Sequence, residues 1–381
     1  MELKQRVTEA FEERFGGRPA LVVRAPGRVN LIGEHTDYND GFCLPMAIDR
    51  ATWIALRPHE GEVSVHALDM DDAFTFPLDA LPRDGASWIR YVTGVAWALQ
   101  ENGYSLSGWE GVLSGNVPIG SGLSSSAALE MAVARAFAAV SGFAWEPSRM
   151  AQIAQQTENR WLGLKSGIMD QLISANGLAG HALLMDCRSL VLTPVPLPGG
   201  TAVVVMDTKT PRGLVNSAYN ERRAECERAA ATLGVVALRD AGPADLARAT
   251  DRLEPVIFRR ARHVITENGR TLAAAEAMRA GDAVELGRLM NASHDSLRHD
   301  YEVTSDTLDT MVESARRQPG CLGARMTGAG FGGCAIALVR TAAVAPLMAA
   351  VSGEYEQRTG LTPELFMAQP AAGASLVEPA A

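Results

Sequence analysis

Between residues 24 and 41 the chain reads RAPGRVNLIGEHTDYNDG, which sets Arg28, Asn30, Glu34, His35, Asp37, Tyr38, Asn39 and Asp40 side by side behind the apolar run 20–23. A packed core has no use for so many adjacent hydrogen-bonding side chains, whereas a pocket for a small, hydroxyl-rich ligand does. If 29–35 is extended, the period of two puts Arg28, Asn30 and Glu34 on one face. His35 and Asp37 then fall where the strand turns into the Asp-Tyr-Asn-Asp-Gly loop. A polar surface hairpin is the competing explanation for this segment alone.

A second cluster lies at 116–129, NVPIGSGLSSSAAL. Residues 108–114 before it have strand character. Residues 127–140 after it are Ala-rich and apolar all round, which predicts a buried helix ended by Gly142. Strand, glycine turn, then a helix opened by serines is the physical recipe for an anion site. Gly120 and Gly122 let the backbone come close, and free N–H groups at the positive end of the helix dipole face the phosphates. One of Ser124, Ser125 and Ser126 can cap the helix, leaving a hydroxyl for a phosphate or a metal. An ordinary Ser-capped helix is the alternative. The common phosphate loop G-x-x-x-x-G-K-[ST] is absent, because none of Lys4, Lys165 and Lys209 follows a suitable glycine loop. Backbone amides, dipole and Mg²⁺ must then replace the lysine.

The third segment, 325–334, reads RMTGAGFGGC, and Gly328, Gly330 and Gly333 match G-x-G-x-x-G. A dinucleotide fingerprint follows a strand and opens a helix. Here a helical stretch (307–317) precedes and a strand-like run (334–339) follows, so a glycine turn closing over a ligand fits better.

In this order and spacing the three segments resemble the kinase superfamily of galactose, homoserine, mevalonate and phosphomevalonate, and within it the galactokinase family. GRVNLIGEHTDYNDG is similar to that family's sugar signature, NVPIGSGLSSSAALE to the superfamily's ATP loop, and RMTGAGFGGCAIALV to its third motif. GIMDQLIS (167–174), the 217–226 region and 287–315 agree, so the likeness runs from about residue 15 to residue 377. It implies an α+β protein of two mixed α/β-sheet domains with the active site in the cleft between them. The implied activity is ATP-dependent phosphorylation of D-galactose at its anomeric C1 hydroxyl, with Mg²⁺.

Residue by residue, the resemblance implies a catalytic pair, Arg28 and Asp170. Sugar contacts would come from Glu34, His35, Asp37, Gly167, Asp170 and Tyr219. The ATP loop would comprise Gly120, Ser121, Gly122, Leu123, Ser124, Ser125, Ser126 and Ala127, and Mg²⁺ would sit on Ser126 and Glu158. Glu158 lies on a helix begun by Pro147, at the edge of a face shared by Met150, Ile153, Ala154, Thr157 and Trp161. A carboxylate there wants a partner, either a cation or, in the bland case, a surface arginine. Asp170 beside a guanidinium would be a weak base toward an ordinary alcohol. The anomeric hydroxyl is more acidic, and Arg28 can stabilise the charge that develops on it. Kinases for N-acetylgalactosamine or L-arabinose are the nearest alternatives. A non-catalytic sugar sensor on the same fold is disfavoured by the complete loop 122–128 and by the presence of Arg28 and Asp170.

These residues need a large scaffold, and 381 residues suit two domains rather than one core. The stretch 193–200 (TPVPLPGG) is the best boundary, giving domains 1–194 and 195–381. The second half is helix-rich over 214–317, then returns to strand, helix, strand, and the tail frays after Val377. With 44 acidic and 35 basic residues, net −9, there is no basic footprint for nucleic acid. Residues 1–15 read as a charged amphipathic helix stopped by Gly16 and Gly17, without the apolar stretch of a signal peptide. The longest apolar run, 334–351, is broken by Arg340 and Pro346, so no membrane span is expected. Cys43, Cys187, Cys226, Cys321 and Cys334 show no paired spacing and read as reduced thiols of a cytoplasmic protein. His294 and His299 lack metal-ligand spacing and read as packing or surface residues. The expected partners are the sugar and ATP, and the expected state is a monomer.

Overall fold

The computed structural model describes residues 2–210 and 215–377. The expected fraying after Val377 falls outside them, as does the expected helix start at Leu214. The architecture is α+β, as anticipated, with three sheets and the helices that cover them.

The first sheet has six strands, ordered Ser375–Val377, Leu21–Asn30, Pro45–Pro58, Trp109–Gly115, Glu62–Ala67 and Asp72–Pro77. Its pairings are antiparallel except between Glu62–Ala67 and Trp109–Gly115. Alternation along the strands sorts the apolar residues by face. Val23, Ile54 and Leu113 pack under the helices Ser87–Glu101, Ser125–Ser141, Pro147–Gln156 and Met169–Asn176. Val22, Ala55 and Val112 point the other way, and Val7 and Phe11 of the Leu3–Phe15 helix cover them. That helix stops at Gly16.

The second sheet is antiparallel, in the order Cys321–Met326, Cys334–Arg340, Thr201–Asp207 and Glu364–Ala368. Its two central strands are apolar without interruption because both faces are covered. Val204, Met206, Ala335, Ala337 and Val339 face one core, closed by the helices Val215–Leu233, Pro255–Arg279, Asp306–Arg316 and Val344–Thr359. Val203, Val205, Ile336 and Leu338 face another, shared with Val29, Leu31, Leu44, Met46 and Leu123 from the first third of the chain. The two halves are therefore joined by apolar packing directly beneath the motifs. A small third sheet (Phe42–Cys43, His181–Asp186, Leu192–Pro196) flanks this junction.

Four local expectations are corrected. The first strand ends at Asn30 and does not continue to His35, because Gly33 takes φ 96° and bends the chain. The helix begun by Pro147 holds to Gln156, and Thr157–Leu162 is a π-helical turn. Ser124 occupies the N-cap of the Ser125–Ser141 helix without making a capping hydrogen bond; Gly142 ends that helix as expected. Finally, Cys43 and Cys187 are not isolated, since their Sγ atoms lie 3.7 Å apart as free thiols. Among the described residues no helix is long and apolar enough to cross a membrane.

Candidate active site

The register between Leu21–Asn30 and Pro45–Pro58 jumps between Pro26, which pairs with Ala51, and Arg28, which pairs with Ala47. Such an irregularity re-aims a side chain. Here the Arg28 backbone N–H donates to the Leu123 carbonyl oxygen at 3.0 Å, tying the strand to the glycine loop. The buried guanidinium forks onto Asp170, with Nε to Oδ1 at 2.8 Å and Nη2 to Oδ2 at 2.6 Å. Its Nη1 donates to the Gly122 carbonyl. Asp170 lies in the first turn of the Met169–Asn176 helix, whose dipole favours a negative charge there. Ser124, at φ 58°, gives its hydroxyl to Asp170 Oδ2 instead of to the helix end.

Asp37 accepts from the Tyr38 N–H at 2.9 Å and from the Met169 N–H at 3.5 Å. Burial, and then the nearby Asp170 charge, push its carboxyl up to about 6. Glu34 is buried beside it in the same cavity wall. Its Oε1 accepts from the Gly328 N–H at 2.6 Å, and its Oε2 accepts from the Asn30 amide. The third motif thus closes onto the first.

His35, at φ 61°, is locked by the protein itself. Its Nε2 lies 3.2 Å from the Ala329 carbonyl oxygen and must carry the proton; its Nδ1 then accepts from the Tyr38 hydroxyl at 2.8 Å. Tyr301 in turn donates to Tyr38 at 2.7 Å, and the Cys226 thiol to Tyr301 at 3.1 Å. Burial and the neighbouring His263 hold the imidazole at about 3, hence neutral. Both ring nitrogens are engaged, so His35 faces the cavity with its ring and orders its surroundings. Tyr219 stacks near it, with ring centroids 5.5 Å apart, and burial raises its phenol well above the ordinary value.

The π turn carries Glu158, which is buried, to the Ser126 hydroxyl: Oγ donates to Oε1 at 3.3 Å. One turn along the same helix, Glu130 is fully buried and accepts from Gln171 at 2.9 Å, while its Oε1 has no partner. Burial raises both carboxyls, and the Glu158 charge raises Glu130 further. Hard oxygen donors, two buried carboxyls and an orphaned oxygen suit a divalent cation. Among the described residues no three His, Cys, Asp or Glu side chains form a cage by themselves, so phosphates and water would have to complete the shell.

Two cavities meet here. One, of about 230 Å³, is walled by the polar side chains of Glu34, His35, Asp37 and Tyr219 together with Gly167. The other, of about 810 Å³, runs over Gly120, Gly122, Ser124 and Ser125 to Trp88 and Met70. Arg28, Asp170, Ser126, Tyr91 and Ala329 line both. Three residues of the expected ATP loop stand away from the groove wall. Ser121 bonds the Pro118 carbonyl at 2.9 Å, and the side chains of Leu123 and Ala127 are buried in the core. Their contribution can come only from the backbone.

Several residues of this site were not singled out from sequence. Glu130 carried a signal, since it follows Ser126 by four positions and so shares its helix face. Gln171, next to Asp170, carried a weaker one. Tyr91 and Tyr301 carried none, because only tertiary folding brings them in.

Fold and joined cavities define a small-molecule kinase of the GHMP class. The GHMP kinase N-terminal domain matches residues 90–177 and the GHMP kinase C-terminal region residues 274–357. The galactokinase galactose-binding signature matches residues 9–58. A galactokinase of Roseiflexus is 46% identical over 97% of this chain and 96% of its own. One of Chloroflexus aggregans is 48% identical at the same coverage. The crystal structure of Lactococcus lactis galactokinase complexed with galactose superposes with a TM-score of 0.94 at 37% identity, covering 98% of this chain and 100% of that one. A mevalonate kinase shares the fold at TM-score 0.64 and 18% identity. The chain belongs to the galactokinase family.

Proposed function

We propose that the protein transfers the γ-phosphoryl group of ATP to the anomeric C1 hydroxyl of D-galactose, giving galactose 1-phosphate and ADP. The observation that carries this reading is the shared wall. Arg28, Asp170 and Ser126 line both the polar pocket and the glycine-loop groove, so an acceptor hydroxyl and a terminal phosphate can meet only beside them. Phosphoryl transfer needs positioning and charge stabilisation more than covalent help from the protein. Asp170 faces the acceptor hydroxyl and receives its proton, while Arg28 holds Asp170 in place and stabilises the charge growing on the oxygen. Glu34, Asp37, Gly167 and Tyr219 form the sugar pocket, with His35 ordering it. Backbone amides of 120–127 face the phosphates at the start of the Ser125–Ser141 helix. Ser126 and Glu158 would hold Mg²⁺, which when bound supplies neutralisation of phosphate charge.

The halves 1–194 and 195–381 are taken as the two domains. The change of sheet between Leu192–Pro196 and Thr201–Asp207 supports that division, although Ser375–Val377 returns to pair in the first sheet. A cytoplasmic location fits five free thiols, and a monomer is the proposed state. Steady-state rates with ATP and Mg²⁺ on galactose, glucose, N-acetylgalactosamine and L-arabinose test the reading. Galactose is expected to give the highest kcat/KM, by about 100-fold or more over glucose, because a reversed C4 hydroxyl leaves buried polar groups unpaired. Comparable efficiency on glucose would overturn the galactose assignment, and preference for N-acetylgalactosamine would move it to that sugar.

A further inference from the structure

Behind Glu34 lies a guanidinium whose placement ordinary packing does not explain. Arg325, on the Cys321–Met326 strand, is 0% exposed, and Glu34 is 1% exposed. Arg325 Nη1 donates to the Asn30 carbonyl oxygen at 3.1 Å and lies 3.6 Å from Glu34 Oε1. Its Nη2 lies 3.8 Å from Oε1 of Glu267, a fully buried carboxylate on the Pro255–Arg279 helix. Neither Nε nor Nη2 has a hydrogen-bond partner. A guanidinium in a dry interior that leaves most of its donors unused is a poor fastener. What it brings is a positive charge between two carboxylates.

Glu267 has closer partners than that charge. Arg270 Nε donates to it at 2.7 Å, the Gly33 N–H at 3.0 Å, and the Ser293 hydroxyl closes the shell. Its carboxyl is held at about 2. Glu34 is in the opposite position. Burial raises its carboxyl, and Arg325 is the strongest opposing influence, ahead of Arg28 and the Asn30 and Gly328 hydrogen bonds. Asp37 and Asp170 share the cavity wall, and Arg270 stays on Glu267, while the two imidazoles against this segment add no charge. His35 is neutral, and His263, whose Nε2 lies 3.1 Å from the Glu34 carbonyl oxygen, is held at about 4.

We infer that Arg325 is a positioning residue for the sugar site, setting its charge behind Glu34 so that the carboxylate is presented to the sugar as a hydrogen-bond acceptor, with Glu267 holding both Arg325 and the Gly33 backbone in register. The inference rests on the galactose-kinase reading above. It adds a residue behind the pocket wall to the contributions that the second half of the chain already makes through Tyr219 and Gly328.

The test is the pH profile of Arg325→Met. With the charge gone, burial acts on Glu34 with less opposition, so its protonated form gains ground and one acceptor is lost. The galactose KM is then expected to rise about tenfold at neutral pH with kcat changed much less, as for loss of one charge-assisted hydrogen bond. Raising the pH should restore KM toward the wild-type value as Glu34 ionises again. Arg325→Lys should recover most of the loss at neutral pH. A KM that stays low, or one that rises and ignores pH, overturns the inference. If Arg325→Met does not fold, the double variant Arg325→Met/Glu34→Gln, which removes both charges, decides the matter. A restored melting transition with a raised, pH-independent KM supports the pairing, and a double variant that folds no better refutes it. Wild-type activity separates the two readings. A wild type that phosphorylates no galactose sinks the functional proposal, whereas an active wild type beside a pH-indifferent Arg325→Met sinks only this inference.

Discussion

A side chain at position 167 would place its Cβ 1.8 Å from Oδ2 of Asp37. Gly167 is therefore required by close approach, not by backbone freedom, since its φ is outside the left-handed region. The contact joins the first motif to the loop that leads into the Met169–Asn176 helix, and so fixes Asp37 relative to Asp170. Gly167→Ala is expected to weaken galactose binding by about 100-fold or more, because Asp37 must leave its position or the helix must shift. Isothermal calorimetry with galactose alone checks this. Binding within about threefold of wild type would show that Asp37 can move aside freely.

Asp37 also carries a stability signature. Its carboxyl rises from the ordinary 3.8 to about 6 in the folded protein. The native state then binds the proton more readily than the unfolded chain, so keeping Asp37 ionised costs stability above about pH 6, and the cost disappears below about pH 4. Asp37→Asn carries no such cost. It is expected to be more stable than wild type at neutral pH by up to about 3 kcal/mol, the difference shrinking to nothing in acid. Sugar affinity should be lost in the same variant, and in wild type it should decline as pH falls below about 6. Melting curves across pH check the first claim. A variant no more stable than wild type at neutral pH would mean that Asp37 is not under this strain.

Asp170→Asn keeps the shape of the side chain and removes its charge. Turnover is expected to fall by at least about 100-fold with galactose affinity largely kept, since Asp170 would act on the reacting oxygen more than on binding. Retention of about a tenth of wild-type turnover, worth only ~1.4 kcal/mol of barrier, would remove Asp170 from the chemistry. Ser124→Ala should show a milder loss, up to about tenfold, because it removes one hydrogen bond to the same carboxylate.

The sequence made the first motif legible because its polar residues are local, and the Arg28–Asp170 pair legible only through the family resemblance, since 142 positions separate the two. Alternating strands and the Gly142 stop followed from spacing. What escaped was set by tertiary context. The bend at Gly33 depends on the approach of Phe42, whose carbonyl oxygen lies 2.6 Å from where a Cβ would stand. The π turn at Glu158 is invisible to a 100° period, which counts every residue alike. Ser124 looked like a cap because serine usually caps; Asp170 Oδ2, already held by Arg28, takes its hydroxyl instead.

That π turn sets up the last expectation. A π-helical insertion rotates the residues after it relative to an α-helix and is common where a side chain must be presented to a site. Here it presents Glu158 to Ser126 on the neighbouring helix, and Gly94 leaves the space it needs: a Cβ there would meet the Thr157 methyl at 2.5 Å and the Trp161 ring at 2.8 Å. Glu158→Gln should raise the Mg²⁺ concentration for half-maximal rate by about tenfold, since a neutral amide is a weaker ligand for a hard cation. Galactose affinity measured without nucleotide should not change. Because Glu158 is buried with a raised carboxyl, the same substitution should leave the apo protein at least as stable as wild type. An unchanged Mg²⁺ titration would take Glu158 out of the metal site and leave it a buried partner of Ser126 alone.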